Sequence, residues 1–392
     1  MNRKDSRAIR FKKAVESADA DEIRRLFDAH PELGQVIDKP WFAFGSTALV
    51  LSALTEERAV IDALIDMGAD VDAKSDWSAG PYGVLDCVVD KPAPVDVDLA
   101  DHLIARGATL DIHAAAGLGR IDVLTELLDA NPDRVSEPGP DGATPLHLAM
   151  NIEVAQFLLD RGAELDKRCV DHNSTAAMWS VAGREDVTRF LLDNGARPDL
   201  FMAAVLDDVA LAEQLLEAEP SAIDVRVRFG ESHEHLGRGD KYIWALDFAQ
   251  TPAEVARRRG NEAIYAFLLG RSSPFVNLLH ASRRGDVDLL ASMLRDDPDL
   301  LATLTDDQVR EALSGTADAA RILLEQGANP NAIGDENGAT ALHVASWEGD
   351  RDRIEVLLAH GADRTIVDRT HSGTPAGWAD AGGHEDLVEL LR

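Results

Sequence analysis

The chain has 392 residues, of which 45% are hydrophobic and 28% are charged, so its composition is that of a folded protein and excludes wholesale disorder. Its 39 basic and 70 acidic residues give a formal net charge of -31, which repels nucleic-acid backbones and anionic membrane surfaces, so we expect no nucleic acid and no membrane as a partner. Two cysteines are too few for a disulfide framework, and we find neither a secretory signal nor an apolar stretch that could span a membrane, so we predict a cytoplasmic protein.

The dipeptide Gly-Ala marks an internal repeat. It follows an apolar helical pattern at six places, among them Gly162, Gly195, Gly327 and Gly361. The first two of these glycines are 33 residues apart, the next gap is 132 residues, which is four times 33, and the last gap is 34 residues. Such a period is the signature of an architecture built from stacked repeats.

A second marker recurs in step with the first, in the segments DGATPLHLA (141–149) and NGATALHVA (337–345). These residues resemble the ankyrin repeat, and the resemblance covers essentially the whole chain in about twelve units, many of them degenerate. The units begin near residues 7, 41, 81, 111, 141, 173, 201, 243, 276, 305, 336 and 370. The resemblance implies an all-α ankyrin-repeat solenoid of stacked helix-turn-helix units with short β-hairpin-like tips, in a single domain over residues 1–392.

The segment 338–363 shows why one unit forms this structure. Apolar residues recur at helical spacing before and after Gly349, which predicts two short amphipathic helices. Thr340 lies where a helix cap is needed, and Asn337-Gly338 is a tight-turn dipeptide typical of a hairpin tip. A helix pair this small buries its apolar face only when neighbouring pairs stack on it.

The repeat has distinct units at its two ends and two interruptions between them. Residues 1–40 are charged and lack the TPLH motif, so we predict an N-terminal capping unit there, and residues 370–392 form the matching C-terminal capping unit. The stretches 74–86 and 226–244 are too long for ordinary turns. Because insertions in solenoids lie on one face, often the binding face, we predict functional loops; the alternative is a tolerated surface loop.

Histidines occur in two settings. His113, His147 and His343 occupy the same repeat position, and the resemblance implies a structural role for them, hydrogen-bonded to the backbone of a neighbouring unit; His113 alone lacks the usual preceding motif and is also a groove candidate. His233 and His235 in the second insertion lack the spacing of a zinc motif, so we predict no metal site.

The leading functional hypothesis is a protein–protein interaction scaffold. Ankyrin repeats bind other proteins through the hairpin tips and the concave helix surface, and the acidity of this chain favours a partner with a basic surface. Partly exposed tryptophans suit such a contact because they offer a large apolar face and an N–H donor. The residues predicted to bind a partner or a ligand are Trp77, Tyr82, His172, Trp244, Asn337, Trp347, His371 and Trp378.

The alternative hypothesis is a small-ligand-binding protein or an enzyme with a pocket in the concave groove. Asp111, His113 and Asp171 are its acid/base candidates, and the two insertions would cover the pocket. The sequence has no phosphate-binding loop, no nucleophile elbow and no dinucleotide-binding glycine motif, so we predict no catalytic residues and no cofactor.

Overall fold

The computed structural model of the chain describes residues 1–90, 95–227, 241–246, 250–334 and 337–392. Over these ranges the protein is all-α, as predicted, with 24 α-helices, several short 3-10 turns and no β-strand. None of these helices combines the length and the apolar character needed to cross a bilayer. The helices are α1 (Ser6–Glu16), α2 (Ala20–Ala29), α3 (Ala48–Leu54), α4 (Arg58–Asp66), α5 (Val84–Val89), α6 (Val97–Ala105), α7 (Ile112–Gly117), α8 (Ile121–Ala130), α9 (Ile152–Asp160), α10 (Ala176–Ser180), α11 (Glu185–Asp193), α12 (Leu200–Leu206), α13 (Val209–Ala218), α14 (Lys241–Leu246), α15 (Pro252–Arg259), α16 (Glu262–Leu269), α17 (Pro274–Arg284), α18 (Val287–Asp296), α19 (Asp306–Leu313), α20 (Ala317–Glu325), α21 (Ala341–Glu348), α22 (Arg351–Ala359), α23 (Pro375–Ala381) and α24 (Glu385–Leu391).

The chain forms two compact units, Met1–Ile264 and Tyr265–Arg392. Within each unit, consecutive helices contact each other in pairs, and one pair contacts the next, as α21 does with both α22 and α23. The pairs follow the predicted repeat, and in the pair that ends with α9 the 3-10 segment Pro145–Leu148 replaces the first helix. One stack running through residues 1–392 stays a prediction.

The pair of α21 and α22 shows how the sequence builds one unit. The backbone N–H of Thr340 donates to Nδ1 of His343 at 3.1 Å, which satisfies a donor at the start of α21. The helix ends at Gly349, whose φ of 70° is a left-handed conformation that glycine adopts without strain. Asp350 then caps α22 by accepting the N–H of Arg353 at 3.0 Å. The predicted break at Gly349 is confirmed.

Each unit has its own apolar core. In the first unit the buried cluster extends along the chain from Phe11 to Trp179, and in the second from Leu278 to Leu391. Alanines on the helices that begin each pair let neighbouring pairs approach closely, and leucines fill the space between them. Truncating one such leucine to alanine typically costs about 2–5 kcal/mol, so these clusters dominate the stability of the helix pairs.

The predicted hairpin tips are tight turns. At Phe44-Gly45 the φ angles are 55° and 64°, and at Asp141-Gly142 they are 56° and 67°, the pattern of a two-residue turn with both central residues left-handed. No strand flanks these turns in the described part of the chain. Asp is tolerated in this conformation, but a bulky residue such as Phe44 is unusual there, so its presence needs a reason other than turn formation.

The first insertion, 74–86, is an ordered loop. Ser75 and Tyr82 close its base, because the Ser75 N–H donates to the Tyr82 carbonyl at 2.8 Å and the Tyr82 N–H donates to Oγ of Ser75 at the same distance. At its tip, Gly80 packs so tightly on residues 139–142 that an added Cβ would lie 2.1 Å from the carbonyl oxygen of Gly139. The insertion therefore reaches the Asp141-Gly142 turn, two repeats further along the chain.

The second insertion, 226–244, is described only at its ends, since residues 228–240 lie outside the described residues, and His233 and His235 with them. The N–H of Val227 donates to the carbonyl of Gln250 at 3.0 Å, which brings the start of the insertion next to the segment that precedes α15. The end of the insertion forms the short helix α14, which contacts α10. Both insertions thus contribute residues near the turns that begin the helix pairs.

Candidate functional site

A pocket of about 310 Å³ opens in the first unit. Its walls come from α3, α5 and α10, from the turns that precede helix pairs, and from residues of both insertions. Four of the eight predicted binding residues and one of the three acid/base candidates line it: Trp77, Tyr82, His172, Trp244 and Asp171. The structure therefore brings together residues that lie far apart in the sequence.

Exposed aromatic side chains form the rim of this pocket. Phe44 is 54% exposed and Trp244 is 62% exposed. The ring of Phe44 meets that of Trp77 edge to face, with centroids 5.7 Å apart. Solvated aromatic surface of this kind is typical of a contact site, because covering it removes apolar area from water.

Asp141 is the centre of the pocket's hydrogen-bond network. Its Oδ1 accepts the indole N–H of Trp77 at 3.1 Å, its Oδ2 lies 3.0 Å from Nε2 of His172, and the hydroxyl of Tyr82 also donates to it. Burial favours a higher pKa for Asp141, but the hydrogen bonds from His172 and Tyr82 outweigh burial and hold its pKa below the ordinary value. An ionised Asp141 thus connects the first insertion to its own turn and to the next turn, which contains His172.

Asp171 and His172 extend this network. Oδ2 of Asp171 lies 3.6 Å from Nδ1 of His172, while Nε2 of the same ring faces Asp141. Asp141, Asp171 and His172 each present one ligand-type atom within 4.8 Å of the others. The two oxygens of Asp141 already accept hydrogen bonds from Trp77 and His172, so in this structure the group is a hydrogen-bond network.

Lys241, at the start of α14, inserts its ammonium group into the pocket. Its Nζ donates to Oδ1 of Asp90 at 2.8 Å and lies 3.5 Å from the ring centroid of Trp179. Only 14% of the Lys241 side chain and 13% of the Asp90 side chain are exposed. Burial raises the pKa of Asp90, and the charge of Lys241 acts against that rise. The ammonium group therefore has a carboxylate on one side and an aromatic face on another.

Arg184 is the other cationic residue of the lining. Its guanidinium donates to the carbonyl oxygens of His147, Ala149 and Trp179 at 2.9–3.3 Å. Burial lowers the pKa of Arg184, although a guanidinium keeps its proton under all ordinary conditions. Arg184 therefore joins neighbouring repeats through its donors, and its charge also acts on the carboxylate of Asp90.

The helix α14 is anchored by Tyr242. Its hydroxyl donates to Oδ2 of Asp199 at 2.7 Å, and its ring lies 5.3 Å from that of Phe201. Asp199 also caps α12 by accepting the N–H of Met202 at 2.9 Å. Burial raises the pKa of Asp199 to about 6. The anchor is separate from the pocket, so it holds α14 in place whatever Lys241 contacts.

Two of the predicted acid/base residues do not line the pocket. Asp111 caps α7 by accepting the N–H groups of His113 and Ala114, and Nζ of Lys74 lies 3.3 Å from its carboxylate. His113 is buried, with Nε2 2.8 Å from the carbonyl oxygen of Glu137, and burial lowers its pKa. His113 thus has the backbone contact expected of its repeat position. Sequence reasoning placed both residues near a groove because the capping geometry of α7 was not apparent.

The other two histidines of this repeat position make the same contact. Nε2 of His147 lies 3.0 Å from the carbonyl oxygen of Ser174, and Nε2 of His343 lies 3.2 Å from that of Gly373. Burial lowers the pKa of His147 to about 4, so the ring stays neutral at physiological pH. The predicted structural role of these histidines is confirmed by their contacts.

The remaining predicted binding residues lie in the second unit. Trp347 is 53% exposed, and its ring meets that of Trp378 with centroids 6.3 Å apart. The ring of His371 lies 6.4 Å from that of Trp378, whose indole N–H donates to Asp368 at 2.9 Å. Asn337 lies in a repeat turn, where its carbonyl accepts a backbone N–H from the next turn. Trp347, His371 and Trp378 therefore form an aromatic cluster of their own.

Sequence reasoning missed most of the pocket lining, including Phe44, Asp90, Asp141 and Lys241. Phe44 carried a signal, since it is an aromatic residue beside Gly45 where a turn favours Asn, Asp or Gly. Lys241 lies inside a predicted functional insertion, and Asp141 lies in the repeat marker itself. Asp90 carried no signal, because carboxylates are abundant in a chain of net charge -31.

A family model for ankyrin repeats in three copies matches residues 112–202, 278–368 and 312–392, which together make up more than half of the chain. Known proteins with similar sequences agree with this match. Over 90 residues the chain is 33% identical to the ankyrin repeat and SAM domain-containing protein 6 of Mus musculus. This aligned segment makes up 22% of this chain and 10% of that protein.

Two further relatives match shorter segments. The chain is 38% identical over 78 residues to the ARF GTPase-activating protein GIT2 of Mus musculus, covering 20% of this chain and 11% of that protein. It is 39% identical over 71 residues to the ankyrin repeat domain-containing protein 63 of Homo sapiens, covering 18% of each. The chain thus spans less than a fifth of the length of each relative.

Proposed function

Because the chain belongs to the ankyrin repeat family, whose repeats are protein-interaction modules, we propose that it is a scaffold that binds a partner protein at the aromatic rim of the first-unit pocket. The observation that supports this proposal is the display of Phe44 and Trp244 to solvent around a pocket lined by carboxylates. Aromatic residues of this kind carry much of the energy of protein interfaces.

The charge of the chain indicates the chemistry of the partner. A net charge of -31 attracts a basic surface, and the carboxylates of Asp90, Asp141 and Asp171 place negative charge in the pocket itself. The partner of this proposal therefore presents a basic surface to the first unit. The exposed Trp347 of the second unit is a further contact candidate on the same grounds of exposure.

Affinity measurements on a captured partner test the proposal. The full chain is used to capture proteins from the source cells, and a recovered partner is purified and titrated against wild-type protein and the double variant Phe44→Ala/Trp244→Ala. We expect the double variant to bind about tenfold or more weakly, since truncation of interface anchors costs about 2 kcal/mol or more. Unchanged affinity would contradict the proposal.

Matched controls separate the site from general loss of apolar surface. Ile152→Ala removes an exposed apolar side chain from α9 in the first unit, and Leu289→Ala does the same on α18 in the second. Both should leave the affinity unchanged. Trp347→Ala, compared with Leu289→Ala, reports whether the partner also contacts the second unit.

A second candidate function, the binding of a small molecule, is favoured by the size and lining of the same pocket. A volume of about 310 Å³ with aromatic walls and a few polar groups is typical of small-ligand sites. A thermal-shift screen of metabolites tests this candidate, with Trp77→Ala as the pocket variant. A compound that stabilises the wild type but not the variant supports it, and a screen without any stabilising compound contradicts it.

A further inference from the structure

The surroundings of Lys241 show which contacts the pocket offers to an ammonium group. Its ammonium group lies 3.5 Å from the ring centroid of Trp179 and 2.8 Å from Oδ1 of Asp90. The ring face supplies a cation–π contact and the carboxylate supplies a charge-assisted hydrogen bond. These are the two interactions by which proteins bind organic ammonium ions.

The charges of the lining point to the same class of ligand. Among the described residues that line the pocket, three carboxylates, those of Asp90, Asp141 and Asp171, accompany two cationic side chains. Arg184 donates to backbone carbonyls and acts on Asp90 through its charge alone, whereas Lys241 donates a hydrogen bond to that carboxylate. With the ammonium of Lys241 withdrawn, the pocket holds a surplus of negative charge that an incoming cation neutralises.

The position of Lys241 in the chain makes its withdrawal feasible. Asp90 is 151 residues away in sequence, so the contact is not part of a repeat. The helix α14 is anchored through Tyr242 to Asp199, and these two residues do not line the pocket. The flexible stem of a lysine lets its ammonium group leave while the helix stays attached.

We propose that the pocket binds an alkylammonium group and that Lys241 occupies this position until the ligand displaces it. This inference rests on the proposed function, and it names the group of the partner that enters the pocket. The same chemistry is carried by a lysine side chain of a partner protein and by a free primary amine. A basic partner surface, indicated by the acidity of the chain, is consistent with the first of these sources.

Replacement of the Lys241 side chain by an external amine tests the proposal. n-Propylammonium consists of the methylene chain and the ammonium group that Lys241→Ala removes. Titration of the full chain at neutral pH, followed by calorimetry, should show n-propylammonium binding to Lys241→Ala about tenfold or more tightly than to the wild type. n-Propanol has the same shape without the charge and should not bind. No binding to folded Lys241→Ala would overturn the proposal.

Two control variants define where the amine binds. Lys167→Ala removes a lysine that pairs with Glu164 outside the pocket, and it should gain no amine binding. Adding Asp90→Asn to Lys241→Ala should abolish the gain, because the variant keeps the shape of the side chain but removes its charge. Equal binding to Lys167→Ala and Lys241→Ala would assign the amine to another site and overturn the proposal.

A measurement on the wild-type chain covers the case in which Lys241→Ala does not fold. Acetylation of each lysine by a limiting amount of reagent is followed by mass spectrometry, with and without trimethylammonium chloride, which keeps one N–H donor and forms no stable amide. We expect Lys241 to react more slowly than Lys167 and to be acetylated faster when trimethylammonium displaces it, while sodium chloride at equal ionic strength has no such effect. A ratio of Lys241 to Lys167 acetylation that trimethylammonium leaves unchanged would overturn the proposal.

The two sources of the ammonium group are separated by a third titration. The tripeptide acetyl-Gly-Lys-Gly-amide and its Nε-acetylated form are compared with n-propylammonium on Lys241→Ala. Binding of the unmodified peptide assigns the pocket to a lysine side chain, and binding of n-propylammonium alone assigns it to a free amine. If neither binds while a protein partner is still captured through Phe44 and Trp244, the proposed function stands and this inference fails.

Discussion

At the scale of single residues, the pocket depends on side chains whose conformation or burial is costly. Phe44 adopts a left-handed backbone conformation, and its side chain is 54% exposed, so neither the turn nor the core explains it. Asp90 and Asp141 are carboxylates with little solvent access, held by donors from distant parts of the chain. Residues placed at such a cost are typical of binding sites.

Phe44→Asn should separate stability from binding. Asn is more easily accommodated at φ 55°, which relieves about 1 kcal/mol of backbone strain, whereas the loss of the edge-to-face contact with Trp77 costs a similar amount. We therefore expect the free energy of unfolding to change by less than about 1 kcal/mol, while affinity for the partner falls about tenfold. Ser372→Asn introduces the same residue at φ 53° in the second unit, so it should raise the free energy of unfolding slightly and leave the affinity unchanged. Full affinity in Phe44→Asn would show that the aromatic side chain has no binding role.

Asp199 should make the stability of the protein depend on pH. Its pKa is about 6 in the folded chain and near 3.8 when unfolded, so between these values the folded state binds more protons than the unfolded state. Stability must then fall as the pH rises through this window, and it stays reduced above pH 6. Asp199→Asn removes the ionisation but keeps one acceptor oxygen in place of the two that serve Tyr242 and Met202, which costs stability equally at every pH. The melting temperature of the variant should therefore rise relative to that of the wild type between pH 5 and pH 7. A difference between the two proteins that does not change over this range would contradict the prediction. Asp208→Asn, which alters the partly buried cap of α13, is the control.

At the scale of elements, the first insertion is the piece that joins the pocket together. It carries Trp77 and Tyr82 to Asp141 across the position where the intervening repeat has only a short turn. The backbone approach at Gly80 is so close that no side chain fits there. The conformation of the insertion therefore depends on this backbone contact as well as on the hydrogen bonds of Trp77 and Tyr82 to Asp141.

Gly80→Ala should detach the insertion from the Asp141-Gly142 turn. The added Cβ would lie 2.1 Å from the carbonyl of Gly139, and both sides of this contact are backbone, so the loop must move. We expect a loss of about 1–3 kcal/mol in the free energy of unfolding, together with loss of partner binding. Gly34→Ala is the matched control, because a Cβ there meets nothing within 4 Å. Wild-type stability and binding in Gly80→Ala would show that the insertion does not depend on this approach.

At the scale of the whole molecule, the helix pairs could be predicted and the lining of the pocket only in part. Glycines such as Gly349 and Gly361 follow helices at a fixed period, and local chemistry alone places them. The pocket brings Asp90 to Lys241, which is 151 residues away at no multiple of the repeat. Trp77, Tyr82 and Trp244 were predicted because aromatic residues are rare in this chain and these three lie in the insertions. The acidic residues of the pocket could not be told apart from the other Asp and Glu residues, which number 70 in all.

The net charge of -31 makes a prediction for the chain as a whole, namely that association with a basic partner is accelerated by long-range attraction. Salt screens charges beyond about 10 Å at 0.1 M, so the association rate constant should fall about tenfold or more between 50 and 500 mM sodium chloride. The dissociation rate constant depends on short-range contacts and should change much less over this range, whereas the pocket variant Trp77→Ala should change mainly dissociation. Surface plasmon resonance with the purified partner measures both constants. An association rate that is independent of salt would show that the partner is not selected by the acidity of this chain, and the pocket's carboxylates would then act only after contact.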